Sequence, residues 1–567
     1  VESSVKRKRA SGRPTQPALI VCIHWLLVIA FLVSLLTGLR ISADYLDGVI
    51  GQLARRITWL LPRGQVIDWH VISSWVVVLL TLAYVFFLWR SRLYARVRLS
   101  GGFLRSLHPR ALFAAASVAA VSWHALNRVI FHCSYVLLAI MTITGWMMYR
   151  EVFFGVRAVT IQSWHGLSAA AFVFVVIVHP LVTLKVGRFF SMFRPRGGYR
   201  LAALLSSAAA VGLVVPLYFL DAAYQSRLII PRVAQAPVLD GRGQDPLWSA
   251  ARAVSIRTVR GANLPGGQVD VEVRAVHDGE QVYFQFRWAD DTRSMKHHPL
   301  VKTDQGWRVM ATGYETNDEN VFYEDKFAAI LSHRPSLGTG SVHLGEDLIP
   351  GPHYRNSRGL HFTTDGSILD LWHWKSIRSG ALGYADDNFI GPPMASERAG
   401  ARYTGGYTQD PSPLARHPYL LNWVASDRSR PLHETTMLPR FLPRDPGLLE
   451  RMGQVSLDPS VSDEGIWHLF ADEAIAYDEL LDDYPVGTIL PGVILTDDFQ
   501  GDRADVRAAA HWENGHWTLE LWRALDTGSE FDVALSADRP GYLWVAVFNR
   551  SQIRHSQHLH PVRLMLE

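Results

Sequence analysis

His165 and His179 stand fourteen residues apart in one apolar run, Trp164 to Leu184. Fourteen residues of α-helix make almost four turns and rise about 21 Å, so the two imidazoles share a face and lie near opposite sides of an apolar bilayer core about 30 Å thick. Ionisable side chains inside a membrane span are costly and are usually kept for function. Two further apolar runs each begin with a histidine, His24 in Ile20–Leu39 and His70 in Trp69–Trp89. Four histidines at two depths are what two stacked haems need, because each iron takes one ligand from each of two facing helices. The plain alternative, four unrelated polar residues packed against neighbouring helices, is weakened by the matched depths.

The elements that must position these groups are apolar runs at roughly 18–39, 69–89, 128–149, 164–184 and 201–220, each long enough to cross a bilayer. Ala111–Val121 is short and Ala-rich, and is expected as an interfacial or packed helix leading into the third span. Loop charge sets the orientation. Lys6, Arg7, Lys8, Arg9 and Arg13 precede the first span; Arg90, Arg92, Arg96, Arg98, Arg105 and Arg110 follow the second; Lys185, Arg188, Arg194, Arg196 and Arg200 follow the fourth. The first and third connections are poorer in charge, with Arg40, Arg55, Arg56 and Arg63, then Arg150 and Arg157. This predicts a cytoplasmic N-terminus and delivery of everything after the fifth span to the outer side. No small-residue cleavage site follows the first run, which reads as an anchor. His24 and His179 then lie on the cytoplasmic side, and His70 and His165 on the outer side. The pairing that geometry allows is His24 with His179 and His70 with His165. His132 is also on the cytoplasmic side and competes with His24; Trp25 beside His24, suited to the interface, favours the latter. That leaves His132 as packing near a haem or as part of a quinone pocket.

A formal net charge of +4 and a mean hydropathy of +0.07 conceal an apolar, arginine-bearing first part and an acidic remainder after residue 230. The two cysteines, Cys22 and Cys133, both in expected spans, exclude a disulfide framework, a covalently attached haem and any cluster held by four cysteines. Any haem is therefore held non-covalently, and any iron–sulfur relay belongs to another subunit. No basic face interleaved with aromatics points to nucleic acid. No Ser-His-Asp constellation or catalytic carboxylate pair stands out, so no catalytic residue is assigned.

From Pro231 the texture changes to short alternating strands. Val269–Arg274 and Val282–Trp288 flank the turn His277-Asp278-Gly279-Glu280, and a second hairpin surrounds Glu513-Asn514-Gly515-His516. Leu543–Phe548 and Val562–Leu566 read as closing strands, and Tyr323–Leu331 and Glu473–Leu481 as helices. The expected fold is multi-domain: a transmembrane α-helical bundle of about five spans over residues 1–230, then an all-β sandwich with long loops over residues 231–567. Leu337–Arg358 and Gly391–Pro418 are the long Gly/Pro-rich excursions. Of the many histidines here (His343, His353, His361, His373, His417, His433), His373 between two tryptophans reads as a packed core residue, and Asn317–Glu319 as a solvated loop in preference to a calcium site.

The spans resemble the di-haem cytochrome b subunits that anchor nickel–iron hydrogenases and formate dehydrogenases. The residues that carry the likeness are His24-Trp25 with Thr37-Gly38-Leu39-Arg40, His132 with Thr144-Gly145-Trp146, and the His165…His179 pair, over about residues 18–185. The resemblance implies ligands from the first, second and fourth spans and electron exchange with the quinone pool. The second half resembles the haem-binding gamma subunit of ethylbenzene dehydrogenase over most of 236–566. That likeness rests on Leu239-Asp240-Gly241, Pro246-Leu247-Trp248, Tyr283–Trp288 with Ala289-Asp290-Asp291-Thr292, Tyr323-Glu324-Asp325-Lys326, Asp370-Leu371-Trp372-His373-Trp374-Lys375, Gly383-Tyr384-Ala385-Asp386-Asp387 and Leu525-Asp526-Thr527-Gly528. It implies one b-type haem held by a methionine in a loop after an early strand and by a lysine or histidine near the C-terminus. The late position falls on His555, and a neutral imidazole is a better iron ligand at pH 7 than a lysine, which must first lose a proton. The early position falls among Met295, His297 and His298, with Met310 further along; Met295 and His298 are favoured.

Together these features predict a membrane-bound b-type cytochrome, an electron-transfer subunit of a respiratory complex in a bacterial inner membrane. It would carry two haems b in the membrane and a third in a periplasmic domain, linking quinone or quinol to a redox partner such as a molybdenum enzyme or a c-type cytochrome. Two competitors remain: an oxidoreductase acting on a small substrate at an exposed outer haem, and a haem-free outer module that docks a partner enzyme.

Overall fold

The computed structural model describes residues 15–45, 53–54, 56–57, 60–62, 66–98, 116–150, 152–223, 226–312, 319–335, 363, 366–392, 406–413, 417–425, 437–558 and 560–567. The N-terminal basic cluster, Arg55, Arg63, Arg105, Arg110, Asn317, Asp318, Leu337–Arg358, His361, His433 and most of Gly391–Pro418 lie outside the described residues, as do His343 and His353.

Five helices among the described residues are long and apolar enough to cross a membrane: α1 (Ala18–Tyr45), α2 (Val66–Arg90), α3 (Ala116–Arg150), α4 (Ala158–Lys185) and α5 (Arg200–Ala223). The Ala-rich stretch expected as a separate interfacial helix is continuous from Ala116 with the third span. Helix α1 packs on α2, α3 on α4, and α5 on α2. Gln16–Pro17 pairs in parallel with Pro195–Arg196, and Trp25 Nε1 donates to the Met192 carbonyl at 3.1 Å, so the start of α1 and the end of α4 share one end of the bundle. At the other end Asp221 of α5 accepts from Arg150 Nε at 2.7 Å and Trp146 Nε1 at 3.2 Å, both from α3.

Beyond the helices, alternation of side chains builds a sandwich of two main sheets. The larger contains β1 (Arg227–Ile230), β5 (Lys326–Ser332), β6 (Leu369–Lys375), β7 (Asp386–Ile390), β8 (Tyr407–Gln409), β11 (Gly541–Phe548) and β12 (Val562–Leu566), in the order β8-β7-β6-β5-β11-β12-β1. The smaller contains β2 (Val254–Thr258), β3 (Val269–His277), β4 (Gln281–Ala289), β9 (Arg507–Glu513) and β10 (His516–Ala524), in the order β9-β10-β4-β3-β2. Val271, Val273, Phe284, Phe286, Trp288, Leu519 and Leu521 meet Phe327, Ala329, Leu331, Trp372, Trp374, Val545 and Val547 in one continuous buried cluster. Their period of two aims each set at the facing sheet. The expected hairpins form: β3 pairs with β4, and β9 with β10 across Asn514 (φ 52°) and Gly515 (φ 72°), the left-handed pair a two-residue hairpin turn requires. The closing strands β11 and β12 also pair.

Two expected helices are absent. Most of Tyr323–Leu331 is β5, held between β6 and β11 in the middle of the larger sheet. It is buried on both faces, so its sequence lacks alternation and its Ala-Ala-Ile-Leu content imitates a helix. Glu473–Leu481 is a short strand, Ala474–Ala476, paired with Phe441–Pro443, then a 3₁₀ turn whose cap Asp478 accepts from Leu480 N at 2.9 Å. The sandwich touches the helices at one end. Tyr149 of α3 packs edge-on against His560 with ring centroids 4.1 Å apart, and Met147, Phe153 and Ile161 cluster with Val259.

Candidate functional site

The imidazoles of His70 (α2) and His165 (α4) face each other with ring centroids 6.4 Å apart, and those of His24 (α1) and His179 (α4) do so at 6.4 Å as well. A metal–imidazole bond is about 2.0 Å, and the centroid lies ~1.1 Å behind the nitrogen, so two imidazoles on opposite sides of one metal have centroids roughly 6.2 Å apart. Both pairs meet that spacing. His70 and His165 lie at the sandwich end of the bundle, whereas His24 and His179 lie at the end marked by Trp25 and Met192. The two pairs are stacked along α4, as the fourteen-residue spacing requires.

Each sandwich-side imidazole is fixed by a hydroxyl from the opposite hairpin arm. Thr144 Oγ1 lies 3.0 Å from His165 Nδ1, and Thr37 Oγ1 3.1 Å from His70 Nδ1. These hydroxyls also donate to carbonyls one turn back in their own helices, Thr144 to Ile140 at 2.6 Å and Thr37 to Val33 at 2.7 Å. The hydroxyl proton is thereby committed, so the threonine oxygen accepts from the imidazole N–H. The Ser34 carbonyl accepts from His70 Nδ1 in the same way at 3.0 Å. With the proton held on Nδ1, the lone pair sits on Nε2, the form in which histidine ligates a metal. Gly38 and Gly145, directly after those threonines, admit the rings: a Cβ there would lie 3.1 Å from His70 Cε1 and 3.2 Å from His165 Cε1. The repetition of a Thr-Gly step in front of two histidines is the sequence signal for this task.

His132 is elsewhere. Its Nδ1 donates to the Arg128 carbonyl at 2.9 Å, and its ring contacts Phe131, which belongs with Tyr84 and Tyr135 to a separate aromatic group. Among the described residues no ring contact joins it to His24 or His179.

In the sandwich the expected ligands separate. Met295 is buried in the cluster between the sheets. His297 is buried with Nδ1 3.2 Å from Glu324 Oε1, and Glu324 is also paired with Arg378. Burial, and then Arg378, push the His297 pKa down to about 3. His298 is buried at φ 49°, edge-on to Tyr323 and Trp423, with its pKa lowered to about 4 chiefly by burial. The Met310 backbone N–H donates to the Pro299 carbonyl at 2.8 Å.

His555 lies on the opposite face of the larger sheet. Along β11, Val545 and Val547 point into the core, while Phe548 points away and carries the His555 ring at 4.9 Å. His555 Nδ1 donates to the Ser556 carbonyl at 2.7 Å. The same outward face, lined by Ala328, Leu371, Ile390 and Phe548, holds Lys326 Nζ 4.0 Å over the Phe548 ring and His373 stacked on that ring at 5.4 Å. His373 Nδ1 is anchored 3.1 Å from the Tyr407 hydroxyl, and its buried Nε2 meets no hydrogen-bond partner. An anchored Nδ1 and an unmet Nε2 suit an imidazole to iron. Sequence reasoning read His373 as packing because its neighbours Trp372 and Trp374 do point into the core; alternation within that strand was the missed signal.

Comparison with known proteins follows the same division. The model of the prokaryotic cytochrome b561 family matches residues 15–194, and the ethylbenzene dehydrogenase model matches residues 245–559. No protein of curated function matches the chain. Among solved structures, a family 9 carbohydrate-binding module of Caldicellulosiruptor kristjanssonii with glucose is 8% identical, covering 60% of this chain and 95% of that one at a TM-score of 0.21. A carbohydrate-binding protein described as putative, from Bacteroides uniformis, is 9% identical, covering 60% and 100% at 0.22. Similarity that low carries no argument about this chain.

Proposed function

We propose, from the premise that the chain belongs to the ethylbenzene dehydrogenase family and matches prokaryotic cytochrome b561 over residues 15–194, that it passes electrons between the quinone pool and a periplasmic redox partner. It is a multi-pass membrane protein, and a cytochrome b561-type region implies electron transfer on b-type haem. The proposed division is a membrane domain over 1–230 and a periplasmic domain over 231–567, in a bacterial inner membrane with the N-terminus cytoplasmic.

The observation that carries the proposal is the pair of 6.4 Å imidazole spacings stacked on α4. His24 with His179, and His70 with His165, would each hold one haem b. Such haem supplies one-electron chemistry when bound; the chain supplies ligands, burial and spacing. Ser34, Thr37 and Thr144 keep the proton on Nδ1 and hold the rings, raising ligand basicity. The surrounding apolar helices exclude water and make charge on the metal costlier, which tunes potential. In the outer domain His555 would hold a third haem b on the apolar face around Phe548. His373 is the better-supported neighbour there, because Met295 lies across the sheet. Quinone or quinol exchanges electrons within the bilayer, and a molybdenum enzyme or c-type cytochrome does so beyond it.

A redox-titrated absorption spectrum with pyridine haemochrome quantification tests this. Three haems per chain are expected. Two would eliminate the outer haem and leave the sandwich as a docking module; a colourless protein produced with ample haem would overturn the proposal.

A further inference from the structure

Far from either histidine pair, the two sheets of the sandwich bury a cluster of charge between them. Asp370 of β6 and Asp387 of β7 point inward from the larger sheet, and Arg523 of β10 points back from the smaller one. All three are buried, Asp370 and Asp387 completely. Asp532, from the connection between β10 and β11, completes a triad whose carboxylate oxygens lie within 4.8 Å of one another. Arg523 donates to Asp370 Oδ2 at 2.8 Å and to the Val533 carbonyl at 2.8 Å, and lies 3.3 Å from Asp532 Oδ1.

A fourth carboxylate, independent of that triad, faces it. Asp410 follows β8, its backbone N–H donates to the Asp387 carbonyl at 3.3 Å, and its side chain is buried with neither oxygen accepting a hydrogen bond. Asp370 Oδ1 and Asp387 Oδ2 are likewise buried and unmet. Buried carboxylate oxygens without donors are expensive, and one guanidinium cannot neutralise four acids. A divalent cation resolves both deficits.

We propose that Asp370, Asp387 and Asp532 bind a calcium ion between the two sheets, with the buried, unmet Asp410 carboxylate beside the site. Two oxygens bound to one calcium at about 2.4 Å can be at most ~4.8 Å apart, the limit the triad meets. The donors are all oxygen, with no imidazole or thiolate to favour zinc. They come from two strands and a loop, a set suited to calcium's irregular coordination and unlike the strict octahedron magnesium demands.

The test uses the full-length, chelator-treated protein in detergent, with calcium alone as ligand. Calcium at a hundredfold excess over its Kd raises the melting temperature of the sandwich by about 5 °C. Terbium at the site is sensitised by Trp372, whose ring lies 4.9 Å from the Arg523 guanidinium, and calcium displaces it. Asp387→Asn and Asp532→Asn abolish the calcium response and the terbium signal. In chelator Asp387→Asn melts no lower than wild type, because it removes a repelled charge. An unchanged wild-type melting temperature up to 10 mM calcium (about tenfold above the Kd of the weakest protein sites) would overturn the proposal without recourse to any variant. So would terbium emission that persists in both variants, or a chelated protein stabilised by lowering the pH from 8 to 5 but indifferent to calcium, the signature of a cluster neutralised by protons.

Discussion

At the scale of single residues, the threonine hydroxyls behind His70 and His165 decide which nitrogen of each ring carries the proton. Thr144→Val keeps the shape and removes the acceptor, so the sandwich-side haem stays bound while its midpoint potential moves by on the order of tens of millivolts. Gly145→Val instead drives two methyl groups into the His165 ring and is expected to cost one haem per chain. Redox titration and haemochrome counts separate the two outcomes. A different residue predicts a pH effect. His468 is buried beside Phe470, and burial, then Arg451, lower its pKa to about 4. The unfolded chain takes up this proton near pH 6.5 and the folded one only near 4. The His468 contribution is therefore complete above the unfolded pKa and is lost as pH falls through that window, by up to about 3 kcal/mol. Melting of His468→Phe followed from pH 7 to 4 should show a shallower acid loss than wild type; an identical slope would refute the assignment. Of the candidate site, the pairing of the four membrane histidines was legible because an imidazole inside an apolar run has few structural excuses. His373 was not, since a histidine flanked by tryptophans looks like core until the strand's alternation is known.

At the scale of elements, α4 works as a ruler, because one helix carries a partner from each pair. Insertion of a single alanine between Ala171 and Phe172 would turn His179 by about 100° relative to His165. Half of the membrane haem is then expected to vanish, and the reduced spectrum should retain only the component of one pair. Retention of both would mean that His179 is not a ligand. Pro180, inside α4 immediately after His179, has no backbone N–H to donate there. The helices were readable from length and apolarity, and the hairpins from turn residues flanked by alternating strands. Strand β5 escaped notice for the opposite reason: burial on both faces erased the alternation that betrays a strand, and only its neighbours β6 and β11 determine its conformation.

At the scale of the whole molecule, the proposed orientation can be checked by fusing reporters after Glu567. Alkaline phosphatase is expected to be active there and green fluorescent protein dark; the reverse would invert the assignment of quinone side and partner side. The arrangement of strands adds a restriction on how a partner can arrive. β1 follows α5 after only a few residues, and β12, the last strand, lies in parallel beside it. His560, just ahead of β12, rests on Tyr149 at the tip of α3. β1 and β12 thus lie together at one margin of the sandwich, and that margin is tied to the helices twice, by the short step from α5 and by the contact with α3. β8 ends the larger sheet at the opposite margin, six strands away from β1 and its tether to the helices.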